Sequence, residues 1–319
     1  MRRILQISKP TFLILVNIFI ITFLLIFFTG CNKISDKDFN DDKIRVVVSI
    51  PPQAEFVEKV GGDRVIVTVM IPPGANPHTY EPTPEKLIEV SRAKMYAKVG
   101  SGIEFELEWM DKIVGLNKEM YIVNCADGVR FIMPEGTDGG SAIYYENNKS
   151  IEAEGDYARI DPHIWLSLKN AKIMSENIYK GLAKIDPANR EYYNENLDSF
   201  TSELDELDKE IMQMFENKKN KVIIVFHPNW TYFASDYGIR QIPIEKEGKE
   251  PTVRYMKYVI DEALKYNIKT IFASPEFSAK SAEALAREIG GSVVLLSPLE
   301  KDYIENMRKT AAAFAEAME

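Results

Sequence analysis

Short β-branched runs alternate with amphipathic stretches along most of the chain. Residues 45–50 (RVVVSI) predict a first strand stopped by Pro51-Pro52, then a short helix over 53–60 that Gly61-Gly62 closes as a C-cap would. A second strand over 65–71 (VIVTVMI) runs into PPGANPHTYEPTP at 72–84, too rich in proline for regular structure. Thr83-Pro84-Glu85 starts a helix to about 93, with proline at the favoured first position. A strand over 95–99, a helix over 104–114 and a strand over 121–124 complete the first half. Such alternation predicts a parallel, doubly wound sheet.

From 134 to 161 the pattern is lost, and the segment reads as an exposed loop longer than an ordinary connection. It ends in DPHIW (161–165), a compact turn into a helix over 167–184. Pro187 opens the longest helical stretch, to about 217. Tyr193, Leu197, Phe200, Leu204, Leu207, Ile211 and Met214 fall there at alternating spacings of four and three. At the standard rise it spans roughly 45 Å. The stripe fits a helix packed across the body of the protein, with a coiled-coil dimer as the rival. The second half repeats the alternation: strands over 221–226, 241–244, 269–273 and 293–296, helices over 230–237, 253–266, 279–289 and 303–318. The predicted architecture is α/β, two doubly wound lobes linked by one long rigid helix.

The N-terminus departs from this plan. Arg2, Arg3 and Lys9 precede an apolar run over 12–28, the shape of a secretory signal, with a single membrane span as the alternative. The run ends FTGC, and Cys31 in that place resembles the lipobox of bacterial lipoproteins, in which the cysteine is lipid-modified and becomes the new N-terminus. The chain then divides into a signal peptide (1–30), a polar tether (31–44), an N-terminal lobe (45–186), a linking helix (187–218) and a C-terminal lobe (219–319). The net charge of −9 becomes −12 once the three cations of the leader are lost, which disfavours nucleic acid as a partner. Cys125 is then the one remaining thiol, so neither an intramolecular disulfide nor a cysteine metal site is available.

Chemistry concentrates on three histidines, His78, His163 and His227, the only ones in the chain. Each sits beside a proline at the end of an apolar segment or the start of a helix. The carboxyl ends of parallel strands are where ligands bind in such folds, and this rule brings the three to facing edges of the two lobes. Three neutral imidazoles suit Zn²⁺, Mn²⁺, Fe²⁺ or Cu²⁺. No HExxH, GxSxG, glycine-rich phosphate loop or CxxC is present, which argues against an enzyme.

The blocks VVVSIPP, MIPPGANPHTYEPTPEKL, DPHIWL, IIVFHPNWTYFASDYG and FASPEFSAKSAEALARE, in this order and spacing, resemble the substrate-binding proteins of zinc and manganese ABC transporters, the ZnuA/TroA-like cluster A-I family. The resemblance covers nearly all of 45–319. It implies metal in the cleft between the lobes, with His78, His163 and His227 as ligands. It also implies delivery of the ion to an ABC permease with a cytoplasmic ATPase. Many members carry an Asp where Ser297 stands, and a branch containing laminin-binding adhesins implies Glu300 as the fourth ligand, with Glu276 or water as fallbacks. Three imidazoles favour zinc over manganese or iron. The protein is thus expected to be a monomer, exported and lipid-anchored to the outer face of the cytoplasmic membrane or in the periplasm, with adhesion as a rival role.

Overall fold

The computed structural model describes residues 42–133, 143–145, 160–245, 251–277 and 280–318. The leader, Cys31 and most of the tether lie outside these, as do most of the 134–161 segment and residues 246–250. Among the described residues no helix is long and apolar enough to cross a membrane.

Four parallel strands build the first sheet: β1 (Ile44–Val48), β2 (Val65–Val69), β3 (Met95–Lys98) and β4 (Tyr121–Asn124), in the order β2-β1-β3-β4. Val48 pairs with Val69 on one side and Ala97 on the other, which aligns the carboxyl ends of the three strands. Val46, Val47 and Val48 are all buried, as a β-branched run covered on both faces should be. The prolines that end this run also open helix α1 (Pro51–Gly61), their fixed φ and missing N–H costing nothing at its first turn. Helices α2 (Pro84–Arg92), α3 (Glu104–Leu116) and α4 (Leu168–Ile185) complete this half.

The second sheet repeats the plan with β7 (Val222–Val225), β8 (Arg240–Pro243), β9 (Thr270–Ala273) and β10 (Ser292–Leu295), all parallel in the order β10-β9-β7-β8. Around it lie α6 (Thr231–Tyr237), α7 (Val253–Lys265), α8 (Lys280–Glu288) and α9 (Tyr303–Ala317). The expected alternation therefore holds in both lobes, with ends displaced by a residue or two. The segment between 134 and 161 needs correction. Ile143–Tyr145 (β6) pairs antiparallel with Phe131–Met133 (β5), so the connection is not loop throughout. A strand of three residues is too short for its alternation to stand out.

The long helix α5 (Arg190–Phe215, 26 residues) joins the lobes after a 3-10 turn at Pro187–Asn189. Tyr193, Leu197, Phe200, Leu204, Leu207, Ile211 and Phe215 are buried, while Met214 is only half-buried. These side chains meet α1, α4 and α9 of the same chain. The stripe is thus occupied within the molecule, as the packed-helix reading expects. One continuous core runs from the first sheet across α5 to Phe233, Phe272 and Phe314 of the second half, and a smaller core fills the far face of the second sheet.

Polar contacts add to this tie. The Trp165 indole N–H donates to the Pro298 carbonyl at 2.8 Å, and the Tyr303 hydroxyl donates to the Trp165 carbonyl at 2.6 Å. The Tyr232 hydroxyl donates to the Asp161 carbonyl at 2.9 Å, and Ser167 donates to Asp236 at 2.6 Å. Phe56 and Tyr303 meet edge to face with centroids 4.8 Å apart.

Candidate metal centre

Most groups of the candidate site follow the carboxyl end of a parallel strand. The chain leaving β2 carries His78, that leaving β3 carries Glu104, β7 is followed by His227, and β8 by Glu245. His163 comes instead from the turn before α4. Local hydrogen bonds set two of these turns: the His78 N–H donates to Asn76 Oδ1 and the His163 N–H to Asp161 Oδ1, each at 2.9 Å, as in Asx turns.

The three imidazoles converge. His227 lies with its ring centroid 5.4 Å from His78 and 5.3 Å from His163. One nitrogen from each falls in a group whose members all lie within 4.8 Å of one another. Nitrogens on a shared tetrahedral zinc stand about 3.4 Å apart, so a small inward movement of the rings suffices.

Each ring is oriented by a carboxylate behind it. His78 Nδ1 faces Glu104 at 2.8 Å, His163 Nδ1 faces Asp161 at 2.8 Å, and His227 Nδ1 faces Glu245 at 3.4 Å. A neutral imidazole donating from Nδ1 presents a lone pair at Nε2, the arrangement by which outer carboxylates fix metal-binding histidines. Among the described residues, Nε2 of His78 and of His227 are buried with no hydrogen-bond partner. A buried nitrogen without a partner is costly unless a ligand takes its lone pair.

Electrostatics agree with this geometry. Burial holds His227 below its ordinary pKa, against the opposing hydrogen bond that its ring donates to Glu245, with the neighbouring imidazoles adding to the depression. Burial acts to raise Glu104, but the His78 hydrogen bond and the imidazole field bring its carboxyl below the usual range. Burial thus favours the neutral imidazole at His227, while the bond from His78 favours the charged carboxylate at Glu104.

Glu104, Asp161 and Glu245 were not singled out in the sequence. Asp161, two residues before His163, carried a local signal; Glu104 and Glu245 became visible only once the strand ends were in place. The oxygen side of the site is different. Glu300 is exposed, and no Asp or Glu among the described residues joins the three nitrogens within the same limit. Ser297 is buried and donates to Glu276 Oε1, while Glu276 Oε2 is buried without a partner among the described residues. Burial, with the nearby charge of Glu300, raises the Glu276 carboxyl above its ordinary value, against the lowering bond from Ser297.

Comparison with known proteins places the chain in a family. The family described as zinc-uptake complex component A, periplasmic, matches residues 46–317. The high-affinity zinc uptake system protein ZnuA of Bacillus subtilis is 29% identical, over 89% of this chain and 88% of its own. A manganese ABC transporter substrate-binding lipoprotein, PsaA of Streptococcus anginosus, is 28% identical over 77% of each chain. Among solved structures, a ZnuA crystal structure superposes with a TM-score of 0.77 at 39% identity, covering 86% of this chain and 99% of that one. The laminin-binding adhesin Lmb of Streptococcus agalactiae, in a mutant structure, gives 0.71 at 26% identity, covering 86% and 100%. With its two parallel-sheet lobes, its joining helix and a match across both, the chain belongs to the family of periplasmic zinc-uptake component A proteins.

Proposed function

We propose that the protein is the extracytoplasmic receptor of a metal uptake system. It captures a divalent ion, zinc in preference to manganese or iron, between its lobes and hands it to an ABC permease driven by a cytoplasmic ATPase. The observation that carries this reading is the convergence of three imidazoles, each with Nδ1 turned to a carboxylate. Such a donor set suits zinc, whereas manganese favours carboxylate and water oxygen. His78, His163 and His227 bind the ion through Nε2, and a water completes four-coordination in place of Glu300. Zinc is the cargo, and no bond is made or broken. The relatives' names support uptake rather than catalysis.

The FTGC segment supports a lipid anchor at Cys31, which would hold the receptor at the outer face of the cytoplasmic membrane. The bonds between the lobes support a modest rearrangement on loading, checked by small-angle scattering of apo and loaded protein; a large compaction would contradict it.

Native mass spectrometry of protein loaded from a mixture of Zn²⁺, Mn²⁺ and Fe²⁺ tests the function. One zinc per chain is expected, with loss of the ion in His227→Ala. A wild-type chain that takes up no metal, or a variant that takes it up equally well, would overturn the reading. The likeness to the laminin-binding adhesin supports a second role on the same fold, attachment to host matrix with zinc retained. Laminin binding by the loaded protein, with no permease gene nearby, would favour it.

A further inference from the structure

The turn after β9 places an aromatic ring over the metal centre. Phe277 stacks on His227 with centroids 4.7 Å and planes 23° apart, and its centroid lies 5.8 Å from His78. These are the two histidines whose Nε2 atoms are buried without partners. His163 lies instead against Trp165, at 5.4 Å. Phe277 thus lies against an imidazole from each lobe, His227 from the second and His78 from the first.

The turn that carries the ring is pinned on both sides. The Phe277 N–H donates to the Ser274 carbonyl at 3.2 Å, closing the turn. Asn229, buried two residues beyond His227, donates its amide to Ser274 Oγ at 2.9 Å. On the other side Ser297 Oγ donates to Glu276, the neighbour of Phe277, and accepts the Leu299 N–H at 3.1 Å. The ring is held in register with the imidazole beneath it.

A phenyl ring supplies no donor and takes up space in which water would otherwise stand. Four-coordinate zinc on three imidazoles needs one further donor, whereas Mn²⁺ prefers six, mostly oxygen. We propose that Phe277 is a specificity-determining residue of the metal centre. Its ring closes the coordination sphere at four and so disfavours ions that need added waters. The effect is exclusion, without contact between Phe277 and the ion. This rests on the reading that the three histidines capture a divalent metal.

Cobalt(II) is the probe, because its visible absorption is intense in four-coordination and weak in six. Wild-type protein loaded with Co²⁺ should show the intense band. Phe277→Ala should lose most of that intensity, and its Mn²⁺-to-Zn²⁺ affinity ratio, from competition titration, should rise about tenfold. Phe277→Leu keeps an apolar cover and should behave as wild type. Phe277→Gln should match Phe277→Ala, and decides the matter if the alanine variant fails to fold. Unchanged intensity and ratio in Phe277→Ala or Phe277→Gln would overturn the proposal, as would an equal loss in Phe277→Leu. A wild-type chain that binds no cobalt would instead remove the metal-capture reading beneath it.

Discussion

The two halves of the candidate metal centre are held by different contacts. On the side of the first lobe, His78 and His163 each face a carboxylate at 2.8 Å, and Asp161 behind His163 is buried and also accepts a backbone N–H. On the side of the second lobe, the Glu245 contact to His227 is longer, at 3.4 Å, and the ring also stacks on Phe277. A short hydrogen bond fixes the direction of the opposite lone pair, whereas stacking fixes the plane of a ring and leaves its rotation freer. The first pair of imidazoles is therefore held more firmly in direction than His227.

Removing a histidine from either half gives the largest effect. His163→Ala and His227→Ala should each weaken zinc binding by more than about 100-fold, beyond the range for outer partners. Isothermal titration should show this directly, and a histidine whose loss is tolerated would not be a ligand.

Outer partners sharpen the contrast. Asp161→Ala should cost about 10–100-fold in zinc affinity, while Glu245→Ala should cost about tenfold or less. The reverse order would break the comparison.

Proton competition is the next test. The His227 imidazole of apo protein should titrate below the ordinary value of about 6.5, since burial outweighs Glu245. The folded state then binds that proton less readily than the unfolded chain. By linkage, His227 makes apo stability rise with pH through this window and decline as pH falls below about 6.5. NMR titration of the ring, with denaturant melts at matched pH, gives both readings; a midpoint above 6.5 would contradict the burial.

The smallest effect is expected at the oxygen side. Glu300→Gln should change zinc affinity by no more than about twofold, because Glu300 is exposed and outside the nitrogen cluster. A loss comparable to that of a histidine would make Glu300 the fourth ligand, as the family resemblance suggests.

What the sequence made legible divides along similar lines. The parallel strands stood out because buried β-branched runs such as Val46–Val48 have few other uses, and the stripe on α5 because its spacing persists for about six turns. Three scarce histidines at strand or turn ends pointed to one place because parallel sheets gather their carboxyl ends. Glu104 and Glu245 were hidden because acids are common at the surface, and only tertiary structure sets these two behind imidazoles. Phe277 was hidden for the same reason, as an aromatic in a loop has no period to betray it. The short β5–β6 pair shows that three-residue strands are set by partner strands rather than by local pattern.

X-ray absorption at the zinc edge of the loaded protein tests the three-imidazole centre most directly. The expected shell is four light atoms at about 2.0–2.1 Å with the outer scattering of three imidazole rings. A shell with one imidazole or none, or one made mainly of carboxylate oxygen, would contradict it.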